Sequence, residues 1–226
     1  MKYLLVVLFL GYSLFGYSQN NNLNFSFSLG QCATSPKFDN SKVKVYNNKG
    51  YFGQIRAEHE LKNSLSLVAG IDYLRFKNRF ALPYYKFFVS DVSFKIDNQL
   101  TVNSINIPIE IKFKSKKKYY SNIGGGINYN FYTKRYSQII ATYINYPNKT
   151  DYQKIADEKV NLNKLNLFYK VGIGRELTLC SKKLWIEINF WSQINKQNYG
   201  IIKDYSDESY KFRNRMISLS LGFYLK

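Results

Sequence analysis

The sequence predicts an all-β protein: an eight-stranded antiparallel up-and-down transmembrane β-barrel with short periplasmic turns and long outer loops. Three observations carry this. Apolar and polar residues alternate with period two in eight separate runs. The connections between those runs alternate strictly between short and long, the asymmetry of a membrane barrel whose two ends face different compartments. Two Trp, 21 Tyr and 17 Phe make 18% of the 226 residues aromatic, a composition that favours strands.

Residues 1–18 read as a cleavable signal peptide. Lys2 supplies the positive start, Tyr3 to Leu10 the apolar stretch, and Gly16 and Ser18 the small residues before cleavage ahead of Gln19. The apolar stretch is shorter than the ~20 residues of a spanning helix. Residues 19–226 then form a single barrel domain. The eight runs are 23–33, 50–60, 64–76, 102–113, 119–131, 164–177, 184–195 and 214–226. The fourth is the cleanest, with Ile105, Ile107, Ile109, Ile111 and Phe113 on one face against Asn106, Glu110 and Lys112. Pro108 lies within it and cannot donate to a ladder, so a bulge or frayed pairing is expected there. Short links fall at 61–63, 114–118 and 178–183. Long ones fall at 34–49, 77–101, 132–163 and 196–213, so both ends of the barrel domain lie on the periplasmic side.

Alternation does not say which face points inward. A soluble lipid-binding barrel would turn its Ile/Leu/Phe face to a ligand; a membrane barrel turns it to lipid. Three features favour lipid. The opposite face is rich in Asn, Ser and Gly, which are small fillers. Aromatic residues gather near strand ends, at Tyr51, Tyr73, Phe113, Tyr119, Phe131, Tyr132 and Tyr224, where interfacial girdles sit. The polar face carries charges of both signs: Arg56, Glu58, Asp72, Glu110, Lys112, Lys170, Glu176 and Glu187. Inside a narrow barrel these are expected to be paired structural counter-ions that close the lumen, because an isolated buried charge is costly.

The run Ser104-Ile105-Asn106-Ile107-Pro108-Ile109-Glu110-Ile111-Lys112-Phe113-Lys114 resembles a strand of Bacteroidota outer-membrane barrel proteins, the PorT-like group. Tyr119-Tyr120-Ser121-Asn122-Ile123-Gly124-Gly125-Gly126-Ile127-Asn128-Tyr129-Asn130 is similar to the strand that follows in that group. The ending Ser218 to Lys226 looks like its closing strand, although Lys226 stands where many outer-membrane barrels end in an aromatic residue. The resemblance implies an outer-membrane barrel and, in some relatives, a role supporting protein secretion.

Other function classes fare worse. Two Cys and one His exclude a Cys₄ zinc site and a His-rich metal site, and no cofactor is expected. Gly124-Gly125-Gly126 lacks the Gly-Lys-Ser/Thr of a phosphate loop and sits within a strand. It is read instead as room for curvature and for facing aromatics. His59 shares the outward parity of Tyr51 and Ile55, which weakens a lipid-modifying barrel enzyme as the alternative; no catalytic residue is assigned. The 33 Lys and Arg against 15 Asp and Glu give a net charge of +18. Those cations are scattered and follow no nucleic-acid motif. The run Lys114, Lys116, Lys117 and Lys118 is read as a solvated turn. The expected partners are outer-membrane lipid and lipopolysaccharide, the outer-membrane assembly machinery, and envelope or secretion proteins, with no nucleic acid.

Cys32 falls near the outer end of the first strand and Cys180 in a periplasmic turn. An apolar band ~25 Å tall separates those levels, whereas a disulfide needs Cα atoms within ~7 Å. Alkylation of the unfolded chain without reduction should therefore label both thiols; mass spectrometry showing neither labelled would refute the topology.

Overall fold

The computed structural model describes residues 23–83, 92–143, 145–160, 162–199 and 210–225. Residues 1–18, read as a signal peptide, lie outside the described residues. Eight long strands form the wall: β1 (Leu23–Thr34), β2 (Asn48–Lys62), β3 (Leu65–Pro83), β4 (Val92–Lys114), β5 (Tyr119–Tyr143), β6 (Leu165–Leu179), β7 (Lys182–Gln193) and β8 (Arg215–Leu225). Each pairs antiparallel with its neighbour in the chain. β8 returns to β1, from Phe25↔Leu225 to Thr34↔Met216, and closes the cylinder. At one end the turns are tight. Cys180 and Ser181, both at positive φ, join the paired ends Leu179 and Lys182 in a two-residue hairpin.

The polarity of the wall is that of a membrane barrel. Leu29, Ile55, Ile109 and Leu221 are 57–60% exposed on the outside, while Glu110 and Glu187 inside are 1% exposed. A soluble carrier barrel would show the reverse. The apolar run from Ile105 to Phe113 covers ~26 Å along its strand and ~20 Å along the barrel axis at a ~40° tilt, close to the ~25 Å apolar band of such barrels.

The strands run well past the expected boundaries. β3 continues from 77 to 83, β4 begins at 92, and β5 reaches 143, where it pairs with a further strand, Tyr146–Lys159. Lys44–Tyr46 adds to β3, and Gln197–Tyr199, Tyr210–Arg213 and Lys37–Phe38 make a small separate sheet. The segments expected as long polar loops therefore build a folded β-extension. It has its own apolar core, including Phe38, Phe80, Leu82, Ile96, Leu100 and Phe212. The Phe38 ring lies 4.6 Å from that of Phe80 and 5.2 Å from that of Phe212. Alternation continues in this region with its chemistry inverted. On β3 the outward residues change from Leu67, Ile71 and Tyr73 to Arg75, Lys77 and Arg79, and the inward ones change from Ser66 and Asp72 to Phe76 and Phe80.

Two irregularities mark β4. Between Ala69↔Ile109 and Asp72↔Asn106 the ladder to β3 is interrupted, opposite Ile107 and Pro108, while on the other side Pro108 stays paired with Gly126. That is the frayed pairing expected of a proline with no N–H to give. The second is a bulge: Asn103 faces Tyr132 but Ser104 faces Asn130, so Phe131 is the extra residue. It switches the inward parity of β5 from Asn128 and Asn130 to Thr133 and Arg135.

Glycines face inward aromatics across the ladder: Gly30 opposite Phe52, Gly50 opposite Phe76, Gly126 opposite Phe168, Gly174 opposite Tyr120, and Gly222 opposite Trp185. A Cβ at Gly222 would collide with the Trp185 ring. At outward Gly53 its nearest neighbour would be the flexible Leu29 side chain at 3.3 Å. Gly222→Val should thus cost about 1–3 kcal/mol by overpacking, and Gly53→Ala well under that. Urea titrations of the detergent-folded protein followed by tryptophan fluorescence would separate the two.

Candidate functional site

The lumen gathers charge in two layers. Near the turn end, Lys112 of β4 stands between β2 and β6. Its Nζ donates to Glu58 at 3.0 Å, to Glu176 at 2.9 Å and to the Tyr224 hydroxyl at 3.0 Å. It also lies 4.0 Å from the centre of the Tyr120 ring. Lys114 adds a second cation, 2.6 Å from Glu58 and 3.5 Å from Glu176. In the middle layer Arg56 crosses the bore from β2 to β7. Its two terminal nitrogens reach both oxygens of Glu187 at 2.8 and 3.1 Å, and its guanidinium lies 4.9 Å from the centre of the Trp185 ring. Lys170 donates to Glu110 at 2.8 Å. Asn122 bridges the two acids, donating to Glu110 at 2.7 Å and Glu187 at 3.2 Å, and Asn189 donates to Glu187 at 2.7 Å. Paired, hydrogen-bonded charges of this kind are what burial requires.

Register explains why these groups meet. Glu110, Gly124 and Lys170 lie side by side on β4, β5 and β6. With no side chain on Gly124, the Glu110 and Lys170 side chains join directly above it; a Cβ there would strike the backbone of Ile109 and Glu110. Gly124 therefore makes room for an ion pair. The expectation that the Gly124–Gly126 run accommodates facing aromatics holds at Gly126, which stands opposite the buried Phe168, whereas Gly124 serves the ion pair.

The eight charges singled out from the sequence all lie on the inner wall. Arg56, Glu58, Asp72, Glu110, Lys112, Lys170 and Glu187 are buried, and Glu176 is partly buried at the mouth. Asp72 departs from the expected pairing: among the described residues it makes no ion pair within 4 Å. It lines a small gap in the lumen together with Gln54, Asn106, Lys170, Asn189 and Trp191. A second small gap is bounded by Arg56, Lys112, Tyr120, Trp185 and Tyr224. The lumen space is thus divided among side chains. Lys114 is not a solvated turn residue. It continues the inward parity of Glu110 and Lys112 by one step, which the sequence pattern alone could have shown. Tyr224 likewise leaves the outer girdle and turns inward to Lys112 and Glu176.

Above the ion pairs the lumen is amide-rich. Asn128 donates to Asn106 at 2.6 Å, Asn166 to Asn128 at 3.2 Å, Asn195 to Asn166 at 2.8 Å, and Gln197 to Gln193 at 3.0 Å. These amides pass into the apolar core of the extension. No group of three or more His, Cys, Asp or Glu side chains suited to a metal occurs among the described residues. Cys32 is buried, Cys180 is exposed, and neither is in a disulfide. His59 faces outward.

Comparison with protein families finds no matching family, and comparison with curated proteins finds no match. Solved structures of similar outline exist. Ail, the attachment invasion locus protein of Yersinia pestis, is 11% identical with a TM-score of 0.42, covering 90% of this chain and 99% of that one. OprG, an outer membrane protein from Pseudomonas aeruginosa, is 8% identical with a TM-score of 0.47, covering 92% and 98%. Neisserial surface protein A is 12% identical with a TM-score of 0.37, covering 88% and 96%. Likeness this distant leaves the functional reading to the chain's own residues.

Removing one partner of a buried ion pair strands the other. Lys170→Met should cost about 3–5 kcal/mol. Lys149→Met, which removes an exposed lysine 4.7 Å from the Tyr143 ring, should cost no more than about 1 kcal/mol. Equal denaturation midpoints for the two variants would contradict the lumen's role.

Proposed function

We propose that this chain is an integral outer-membrane β-barrel that acts as a structural and interaction protein. The lumen is scaffolding and the β-extension is the recognition surface. The observation that carries this reading is the pairing of an apolar outer wall with an interior filled by interlocked ion pairs. Such an interior holds the barrel rigid without offering a pore. The exposed faces of the extension are where a partner would be met. We read the protein as non-enzymatic, since its one imidazole, His59, lies on the outer wall away from every lumen carboxylate named above. A narrower version, support of a secretion machine in the envelope, rests on the PorT-like resemblance of the 104–114 and 119–130 strands.

The test combines fractionation with electrophysiology. The protein should require detergent, migrate differently on gels before and after boiling, and give no steady single-channel current in planar bilayers. Recovery as a detergent-free periplasmic protein would overturn the barrel reading. Large steady currents would overturn the closed lumen.

A further inference from the structure

The outer wall carries a row of cations immediately above its apolar band, centred on β3 to β5. On β3 the outward residues run Tyr73, Arg75 and Lys77, so the first cation lies ~7 Å and the second ~13 Å beyond the last aromatic of the band. Tyr73 pairs ring to ring with Phe131 at 6.3 Å and marks the edge of the apolar surface. Lys77 is in register with Thr101, Thr101 with Lys134, and Lys134 with Lys159. Four hydrogen-bonded strands thus carry three lysines along one register row. Lys49, on the outer face of β2, is also exposed near this row.

These side chains are held against the wall by tyrosines. The Arg75 guanidinium lies 6.0 Å from the centre of the Tyr51 ring, and the Lys159 ammonium 5.8 Å from that of Tyr132. Acids do little to neutralise them. Lys134 bonds Asp157 at 2.6 Å, and Asp157 also serves Lys154 at 3.0 Å. Hydrogen bonds from Lys134 first and Lys154 second hold that carboxyl below its usual range. Among the described residues Lys49, Arg75, Lys77 and Lys159 form no ion pair within 4 Å. Lys134 and Lys159 stand directly opposite each other across the ladder, a like-charge pairing that Asp157 offsets at Lys134 and that no ion-paired acid among the described residues offsets at Lys159.

We propose that this row binds the phosphate groups of lipid headgroups in the leaflet that surrounds the outer end of the barrel. The inference rests on the membrane-barrel reading. The apolar band fixes the depth of the acyl chains, the tyrosines mark the interface, and the cations fall where the headgroup phosphates lie. The bound lipid would form a collar on one side of the barrel, beneath the β-extension.

The detergent-folded full-length protein can be titrated with diphosphoryl lipid A, with the same lipid after dephosphorylation, and with inorganic phosphate, reading retained ligand by native mass spectrometry. The phosphorylated lipid should be retained and the dephosphorylated one lost. Each cation removed should weaken retention roughly fivefold, so R75Q/K77Q/K159Q should lose roughly a hundredfold. K116Q/K117Q/K182Q, at the opposite end, should match the wild type. Should the triple variant not fold, the single variants K77Q and K159Q carry the test, each with its fivefold loss. Equal retention of both lipids, or unchanged retention by the variants, overturns the proposal. Binding of inorganic phosphate without retention of the lipid overturns its lipid identity. A wild-type protein that needs no detergent and shows no heat-dependent migration overturns the barrel reading instead.

Discussion

Closing eight strands into a cylinder leaves an interior that side chains just fill. That constraint governs the rest of the molecule. Charges placed there cannot be solvated by bulk water, so each must be answered by another group. Arg56 reaches across the bore to Glu187, Lys170 meets Glu110, and Lys112 and Lys114 are shared between Glu58 and Glu176. The glycines on the inner wall follow from the same constraint. A bore this narrow holds the Glu110–Lys170 pair and the Trp185 ring only because the neighbouring strand offers no side chain at Gly124 and Gly222. Ion pairs, glycines and aromatics are one packing solution.

The second organising fact is that the medium outside the wall changes along each strand. Where the medium is lipid, the outside is apolar and the inside polar. Where it is water, the outside is charged and the inside apolar. β3 shows the exchange within a few residues, between Tyr73 and Arg75 outside and between Asp72 and Phe76 inside. Backbone pairing continues through the boundary, so the extension is stiffened by the barrel wall beneath it and by the Phe38, Phe80 and Phe212 stack within it.

This exchange also explains what the sequence discloses and what it conceals. The eight membrane runs are legible because each has a continuous Ile, Leu or Phe face, as in 105–113. The parity of those runs places Arg56, Glu110, Lys170 and Glu187 on the inner wall. The extension escapes the same rule because Lys77-Asn78-Arg79-Phe80 alternates charged with mixed polar and apolar residues, which reads as a loop when one looks for an apolar outer face. Register across strands is invisible in a single chain, so the junction of Glu110 and Lys170 over Gly124 could not be read from spacing. The bulge at Phe131 defeats parity altogether: inward positions beyond it, Thr133 and Arg135, are odd-numbered where those before it are even.

The interruption between β3 and β4 also bears on how the wall moves. Opposite Ile107 and Pro108 the seam lacks the pairing found above and below, and it lies midway through the apolar band. Elsewhere the cylinder is stitched continuously, apart from single-residue shifts. A hoop with one slack stitch yields there first. Breathing of the barrel, lateral parting of its wall and the earliest amide exchange within the bilayer should all begin beside Pro108, on the seam where Gly70 and Ile71 face it.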